Sequence, residues 1–363
     1  MEIALTAIGT ANPPYKQQQQ VAAETVANIL QLNPAEKRLL KSVYRATGIA
    51  SRYSVMNDFC KKPGEYAFFP NDPALPFPST KARMRLYKEH ALDLALSAIQ
   101  ACFVARKRAD LPITHLITIS CTGMYAPGID IEIVHKLKLN PSVQRTAVNF
   151  MGCYGSFNGI KLAHAICTAN PDAIVLIVSV ELCTIHFQKN DSLDNMISNA
   201  IFSDGAAAVL VEANPKQQKY LALQGFHCDL LPQYHQAMAW EIADYGFDIV
   251  LSSYVPQAIE QGIFTFVQQL LRKHKTVLDE IDLFAIHPGG QKILKACEVA
   301  LAITPEDNRY AYEVLRQYGN MSSATILFVL KAIWDAEQTS KKIFSCAFGP
   351  GLTLESMLLN LQN

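Results

Sequence analysis

The sequence carries no surplus charge of either sign, since 32 Lys and Arg balance 32 Asp and Glu. A broad nucleic-acid footprint is therefore excluded, and at most a small basic patch stays open. No apolar run reaches the ~18 residues of a membrane span, so none is expected. The nine cysteines form no CxxC pair and no metal-type spacing. Their odd number fits free thiols in a reducing cytoplasm, and no metal site is implied. A basic n-region is also missing. "MEIALTAIGTANPP" opens with an acid and is expected to be a first strand rather than a secretory signal. Neither a Walker nor a Rossmann fingerprint is present, and no nicotinamide cofactor is implied.

What the chain does have is apolar mass. Half of its 363 residues are hydrophobic, enough for a large core and about two domain-sized units. Short Val/Ile/Leu-rich runs such as "THLITIS", "DAIVLIVSV", "AAAVLVE", "DLFAIHP" and "KKIFSCAF" alternate with helical patterns. That alternation predicts α/β layers. Residues 59–80, rich in Pro, Phe and turn formers, read as a long surface loop, functional or at an interface. Ser79 or Thr80 is placed to cap the helix that follows.

Within "NFMGCYGSFNG" (149–159), Cys153 sits between an expected strand, "VQRTAVNF", and an expected helix, "GSFNGIKLAHAICTA". A helix N-terminus behind a cysteine favours thiolate and offers N–H groups to an oxyanion. The stretch by itself equally suits a buried structural cysteine.

The chain repeats itself. "VNFMGCYGSFNGIKLAHAI" resembles "RQYGNMSSATILFVLKAI", with Cys153 and Asn320 at the same place in the two copies. "ITHLITISCTG" matches "EIDLFAIHPGG", where His287 sits at the turn, and "NAIFSDGAAAVLVE" matches "FSCAFGPGLTLESML". A duplicated α/β unit with a pseudo-twofold axis would bring Cys153, His287 and Asn320 to one cavity. The expected halves are residues 1–220, with the cysteine, and 221–363, with the histidine and asparagine.

"GCYGSFNG", "FSDGAAA", "HPGG", "YGNMSSA" and "FGPGLTLE" resemble, in order and spacing, the motifs of type III polyketide synthases. These are the chalcone synthase-like branch of the thiolase fold. "SCTGMYAPGID" and "WEIADYGFDIVLSSYVP" resemble the bacterial members. The resemblance implies a thiolase-like fold of layered αβαβα halves. It also implies an acyltransferase that loads an acyl-CoA starter on Cys153 and extends it with malonyl-CoA by decarboxylative Claisen condensation. The product is then cyclised. His287 would pair with the thiolate, and His287 and Asn320 would hold the enolate oxygen. Asn320 also suits an N-cap of its helix. Two rivals stand beside this reading: a single-condensation ketoacyl synthase III-like enzyme and a non-catalytic partner subunit.

The resemblance also implies a pocket. Phe202 would be an apolar wall that desolvates the malonyl carboxylate. Cys121, His186, Trp240, Ile249 and Ser322 would line the starter site. Ile249 stands where plant enzymes have a gatekeeping phenylalanine, Trp240 where they have a glycine, and Cys121 and His186 where they have threonines. Trp240 equally suits simple core packing. Asp204 is expected to be a turn residue, and Glu181 falls in none of these motifs. CoA would meet Arg38, Lys41 and Arg45 on one helix face, with Lys292 a second candidate. Ala46 replaces a lysine of the plant enzymes. The family's homodimer uses a loop near "CTGMYAPG", where Ala126 replaces a methionine. With the plant-type aromatic pocket filled by Trp240 and the passage widened at Ile249, the resemblance implies an aliphatic starter and an alkylpyrone- or alkylresorcinol-like product, with CoA thioesters as substrates and no further cofactor.

Overall fold

The repeat in the sequence is a repeat in space. The computed structural model describes residues 1–72, 74–107, 111–189, 193–252 and 254–363. Its first half supplies β1 (Ile3–Ala11), β2 (Tyr15–Gln18), β3 (Ser51–Ser54), β4 (His115–Ser120), β5 (Gln144–Asn149), β6 (Ile174–Leu182) and β7 (Asp204–Ala213). The helices of that half are α1 (Gln19–Ile29), α2 (Pro34–Ala46), α3 (Thr80–Arg106), α4 (Ile129–Leu137), α5 (Gly155–Ala169) and α6 (Leu193–Ile201). The second half supplies β8 (Tyr220–Leu230), β9 (Met238–Ala243), β10 (Gly246–Leu251), β11 (Leu283–Ile286), β12 (Lys341–Gly349) and β13 (Thr353–Gln362). With them go α7 (Val255–Lys273), α8 (Gln291–Leu301), α9 (Arg309–Tyr318) and α10 (Thr325–Ala336).

One nine-stranded sheet runs β11-β12-β13-β8-β1-β7-β6-β4-β5. The set β1, β7, β6, β4 recurs as β8, β13, β12, β11. Each set pairs antiparallel, antiparallel, then parallel. The sets join through β1 and β8, where Ala4 faces Ala222 and Leu5 faces Leu221. The edge strand β5 extends the first set.

The strands read as unbroken apolar runs because both sheet faces are buried. On β6, Val175 and Ile177 enter one core while Leu176, Val178 and Val180 enter another. On β7, Ala207, Val209 and Val211 go to the first core, and Ala206, Ala208 and Leu210 go to the second. The first core contains the buried faces of α5 and α10, through Phe157, Ile160, Leu327 and Leu330. The second takes α3, through Ala91, Ala95, Ala98 and Ile99. Ser79 caps α3, its hydroxyl accepting from the Ala82 N–H at 3.4 Å. Among the described residues no helix is long and apolar enough to cross a membrane.

The stretch 59–80, whose Pro73 lies outside the described residues, is more than a surface loop. Phe69 is buried and meets Phe59, Phe68, Phe77 and Phe187 ring to ring. The buried Asp58 carboxylate accepts from the N–H groups of Ala67, Phe68 and Phe69. Aromatic area and a local carboxylate anchor therefore hold it down.

Candidate active site

Cys153 lies on a 3-10 turn, Gly152–Tyr154, that leads straight into α5. Gly152 has φ +73°, and a Cβ there would come within 2.2 Å of Pro350 Cδ. Left-handed backbone and close approach both demand glycine. The "FGPG" turn after β12 thus seats its proline on the cysteine turn. The duplicate turn, Ser322–Ala324, leads into α10 in the same way. The Ser156 hydroxyl donates to the Ser323 carbonyl at 2.5 Å, stitching the two copies together.

Asn320 is held at both ends. Its Oδ1 accepts from the Ser322 N–H at 2.9 Å and the Thr325 hydroxyl at 3.3 Å. Its Nδ2 donates to the Gly289 carbonyl at 3.4 Å. The oxygen thus braces the turn ahead of α10, and the amide nitrogen keeps a hydrogen beyond the one it gives to Gly289. His287 follows β11, its N–H donating to the Cys346 carbonyl at 2.8 Å. Its side chain is buried, and among the described residues neither ring nitrogen has a hydrogen-bond partner.

These three side chains line one cavity of about 290 Å³. That lies at the lower end of typical ligand sites, roughly 300–1,000 Å³. Cys121, Phe202, Trp240, Ile249 and Ser322 line it too, as does Lys292 from the first turn of α8. Trp240 does not turn away into the core. Its Nε1 donates to the Cys121 carbonyl at 2.8 Å, which fixes the indole in the cavity wall.

Other expected residues lie elsewhere. His186 is buried behind the wall, in a smaller neighbouring pocket. Its Nε2 bonds to the Thr122 carbonyl at 2.6 Å, the Phe247 N–H donates to its Nδ1 at 3.0 Å, and its ring stacks on Phe247. It braces the β9–β10 hairpin rather than facing the catalytic cavity. Lys41 is paired with Glu24 at 2.5 Å. Arg45 turns back to the Lys41 carbonyl at 3.3 Å. Where α2 meets the cavity it presents Val43, Ala46 and Thr47, and Arg38, Lys41 and Arg45 are not on that lining. Helical spacing put the three cations together, but the cavity meets a different face of the helix. Asp204 is not a turn residue. It is a buried carboxylate opening β7, accepting from the Val55 and Thr184 N–H groups and the Thr184 hydroxyl. Burial pushes it up to about 6.

The electrostatics bear on the charge state of the Cys153–His287 pair. Burial pushes the thiol of the partly buried Cys153 up to about 12, against hydrogen bonds from Ser322 and Asn320 that pull it down. Burial takes His287 down to about 3. A helix N-terminus contributes roughly 2 kcal/mol at best, whereas desolvating an ion costs several. Burial thus opposes a standing thiolate–imidazolium pair, while the hydrogen bonds from Ser322 and Asn320 favour the thiolate.

Two functional neighbours carry weak sequence signals. Glu181 ends the apolar strand β6, fully buried, and its carboxylate gathers the Cys121 N–H at 2.9 Å, the Thr122 hydroxyl at 2.7 Å and the Ser323 hydroxyl. It ties the end of β4 to the turn that carries Ser322. The signal is the one acid within the apolar run "AIVLIVSVEL", which must find donors if the strand is buried. Cys183, just after β6, also lines the cavity.

The chalcone and stilbene synthase N-terminal domain matches residues 2–215, and the C-terminal domain matches residues 222–362. The chain belongs to the chalcone and stilbene synthase family. It is thus a condensing enzyme of the acyltransferase type, a type III polyketide synthase. It is 30% identical over 361 residues to "Alpha-pyrone synthesis polyketide synthase-like Pks18" of Mycobacterium tuberculosis, covering 98% of this chain and 90% of that protein. It is 30% identical over 370 residues to a "Putative chalcone synthase" of Bacillus subtilis, covering 98% of each. Among solved structures, PKS-I of the brown alga Ectocarpus siliculosus superposes with a TM-score of 0.89 at 28% identity, covering 100% of this chain and 98% of that one. The thiolase-like fold implied by the resemblance is therefore the fold of this synthase.

Proposed function

We propose that this synthase carries an acyl starter as a thioester on Cys153, extends it with malonyl-CoA, and releases an alkylpyrone- or alkylresorcinol-like product. The observation that carries the reading is the single apolar cavity in which Cys153, His287 and Asn320 meet. In the loading step Cys153 attacks the starter thioester while its proton passes to a free ring nitrogen of His287. The same proton then leaves with the CoA thiol. Neutral imidazole is the form needed to accept that proton.

Decarboxylation of malonyl-CoA places an electron pair on the thioester oxygen. The Asn320 amide supplies the donor it needs, and Phe202 supplies a dry wall beside the departing carboxylate. The enolate carbon then attacks the Cys153 thioester, the C–S bond breaks, and the expelled Cys153 thiolate takes up a proton from solvent to return to the thiol. Lys292 is the cation placed to meet a CoA phosphate at the cavity lining.

The same reading takes the enzyme as a homodimer. β5 is the open edge of the sheet, and Gln144, Arg145, Thr146 and Ala147 on it are exposed. An unpaired edge strand is a template for a second chain. The α-pyrone synthesis in the name of the mycobacterial relative supports the product class. The test is incubation of the purified enzyme with labelled malonyl-CoA and a panel of acyl-CoAs, followed by mass spectrometry. Products with two or more malonyl-derived units are expected. A single ketoacyl product from every starter would replace this reading with a one-step condensing enzyme.

A further inference from the structure

Three cysteines, Cys121, Cys153 and Cys183, line the same cavity, and the condensation uses one of them. Cys121 has a particular place among them. Its Sγ accepts the Gly152 N–H at 2.9 Å and lies 3.5 Å from the Gly152 carbonyl oxygen. Gly152 is the residue immediately before Cys153, so the second sulfur is tied to the turn that carries the first. Cys183 is buried after β6 and has no such bond to that turn.

We propose that Cys153 and Cys121 form an oxidisable dithiol, a site of reversible disulfide modification by hydroperoxides. In the first step the Cys153 proton moves to the His287 imidazole, and the sulfur attacks one oxygen of hydrogen peroxide. The O–O bond breaks, Cys153 becomes a sulfenic acid, and water leaves with a proton. In the second step the Cys121 sulfur attacks the sulfenic sulfur, the S–O bond breaks, and a second water leaves. Two thiols have lost two electrons and two protons, and one peroxide has become two waters. A small dithiol reverses the step by exchange.

The disulfide withdraws the nucleophile and frees the Gly152 N–H. It also stops the sulfur short of the irreversible sulfinic acid. Burial holds both thiols protonated, so the oxidation is slow at neutral pH and quickens with alkalinity. The inference goes beyond the condensation reading, and its readout is which sulfurs are joined, whatever the enzyme's substrate.

The experiment treats the whole enzyme with stepwise equivalents of hydrogen peroxide. Remaining thiols are blocked with N-ethylmaleimide, and the protein is digested without reductant for peptide mapping. A peptide joining Cys121 to Cys153 is expected, lost on adding dithiothreitol, with activity falling and returning in step. In Cys121→Ser, Cys153 should proceed to sulfinic acid, and the loss should not be recovered relative to that variant's own untreated sample. Cys183→Ser should still form the link. Sulfinic acid on wild-type Cys153 with no link, a link to Cys183 instead, or untouched thiols under excess peroxide would each overturn the proposal. The wild-type map decides it even if a variant fails to fold.

Discussion

Phe202 and Asn320 stand on a parallel backbone bridge that spans the two halves of the duplication. The Ser203 N–H donates to the Asn320 carbonyl at 2.8 Å, and the Asn320 N–H donates to the Ile201 carbonyl at 2.9 Å. The two residues proposed as the wall beside the malonyl carboxylate and the donor for the enolate are thus set by one pair of hydrogen bonds. The bridge makes their spacing a property of the backbone, which a side-chain substitution leaves in place.

That makes Asn320→Asp a clean probe. A carboxylate still caps Ser322 and Thr325, so the turn should keep its shape. The donor is lost, and a negative charge faces the developing enolate. Malonyl-CoA decarboxylation should fall roughly 10²–10³-fold, while starter loading on Cys153 survives. Radiolabelled carbon dioxide release and intact-protein mass read the two steps separately. Loading that fails while decarboxylation persists would reverse the roles assigned here.

Cys153→Ala should abolish the acyl adduct and all condensed product. Decarboxylation should continue, because it draws on Asn320 and His287. Intact-protein mass spectrometry after exposure to acyl-CoA checks it, and an adduct on the alanine variant would move the nucleophile elsewhere.

Much of this site is legible in the sequence because the duplication is local. Each copy of the turn before a helix, and each strand ending in a small-residue turn, is a continuous stretch whose counterpart is visible along the chain. Cys153, His287 and Asn320 all fall on such stretches. The α2 cations, His186 and Glu181 do not yield to the same reading. Whether Lys41 faces a substrate or Glu24 depends on α1, and whether His186 faces the cavity depends on Phe247, 61 residues away. Those partners lie on other elements, so neither periodicity nor motif spacing contains them.

The acid–base state of the nucleophile gives a pH test with a definite sign. The Cys153 thiol is raised to about 12 and His287 lowered to about 3. Across about pH 6 to 9 the imidazole is then neutral, and the thiolate fraction grows about tenfold per pH unit. Alkylation of the Cys153 peptide by iodoacetamide should climb through that range without a plateau, with exposed Cys60 and Cys228 as internal references. A rate already level below about pH 7 would show a standing thiolate–imidazolium pair and overturn the neutral assignment.

Starter choice rests on another pair. Trp240 and Ile249 are directly opposed on β9 and β10, and both line the catalytic cavity. The indole is pinned by its bond to the Cys121 carbonyl. Ile249 leaves open the passage that a phenylalanine would narrow. An apolar lining rewards each added methylene by up to ~0.8 kcal/mol, about fourfold in kcat/KM. Turnover should therefore rise from acetyl-CoA with chain length until the cavity is full, then level or fall. Trp240→Ala removes the wall and should move the optimum to longer chains, whereas Ile249→Phe should move it to shorter ones. Measuring kcat/KM from acetyl-CoA to palmitoyl-CoA for the three proteins decides the matter. A flat profile, or a preference for coumaroyl- or malonyl-CoA as starter, would defeat the apolar-channel argument while leaving Cys153, His287 and Asn320 in their roles.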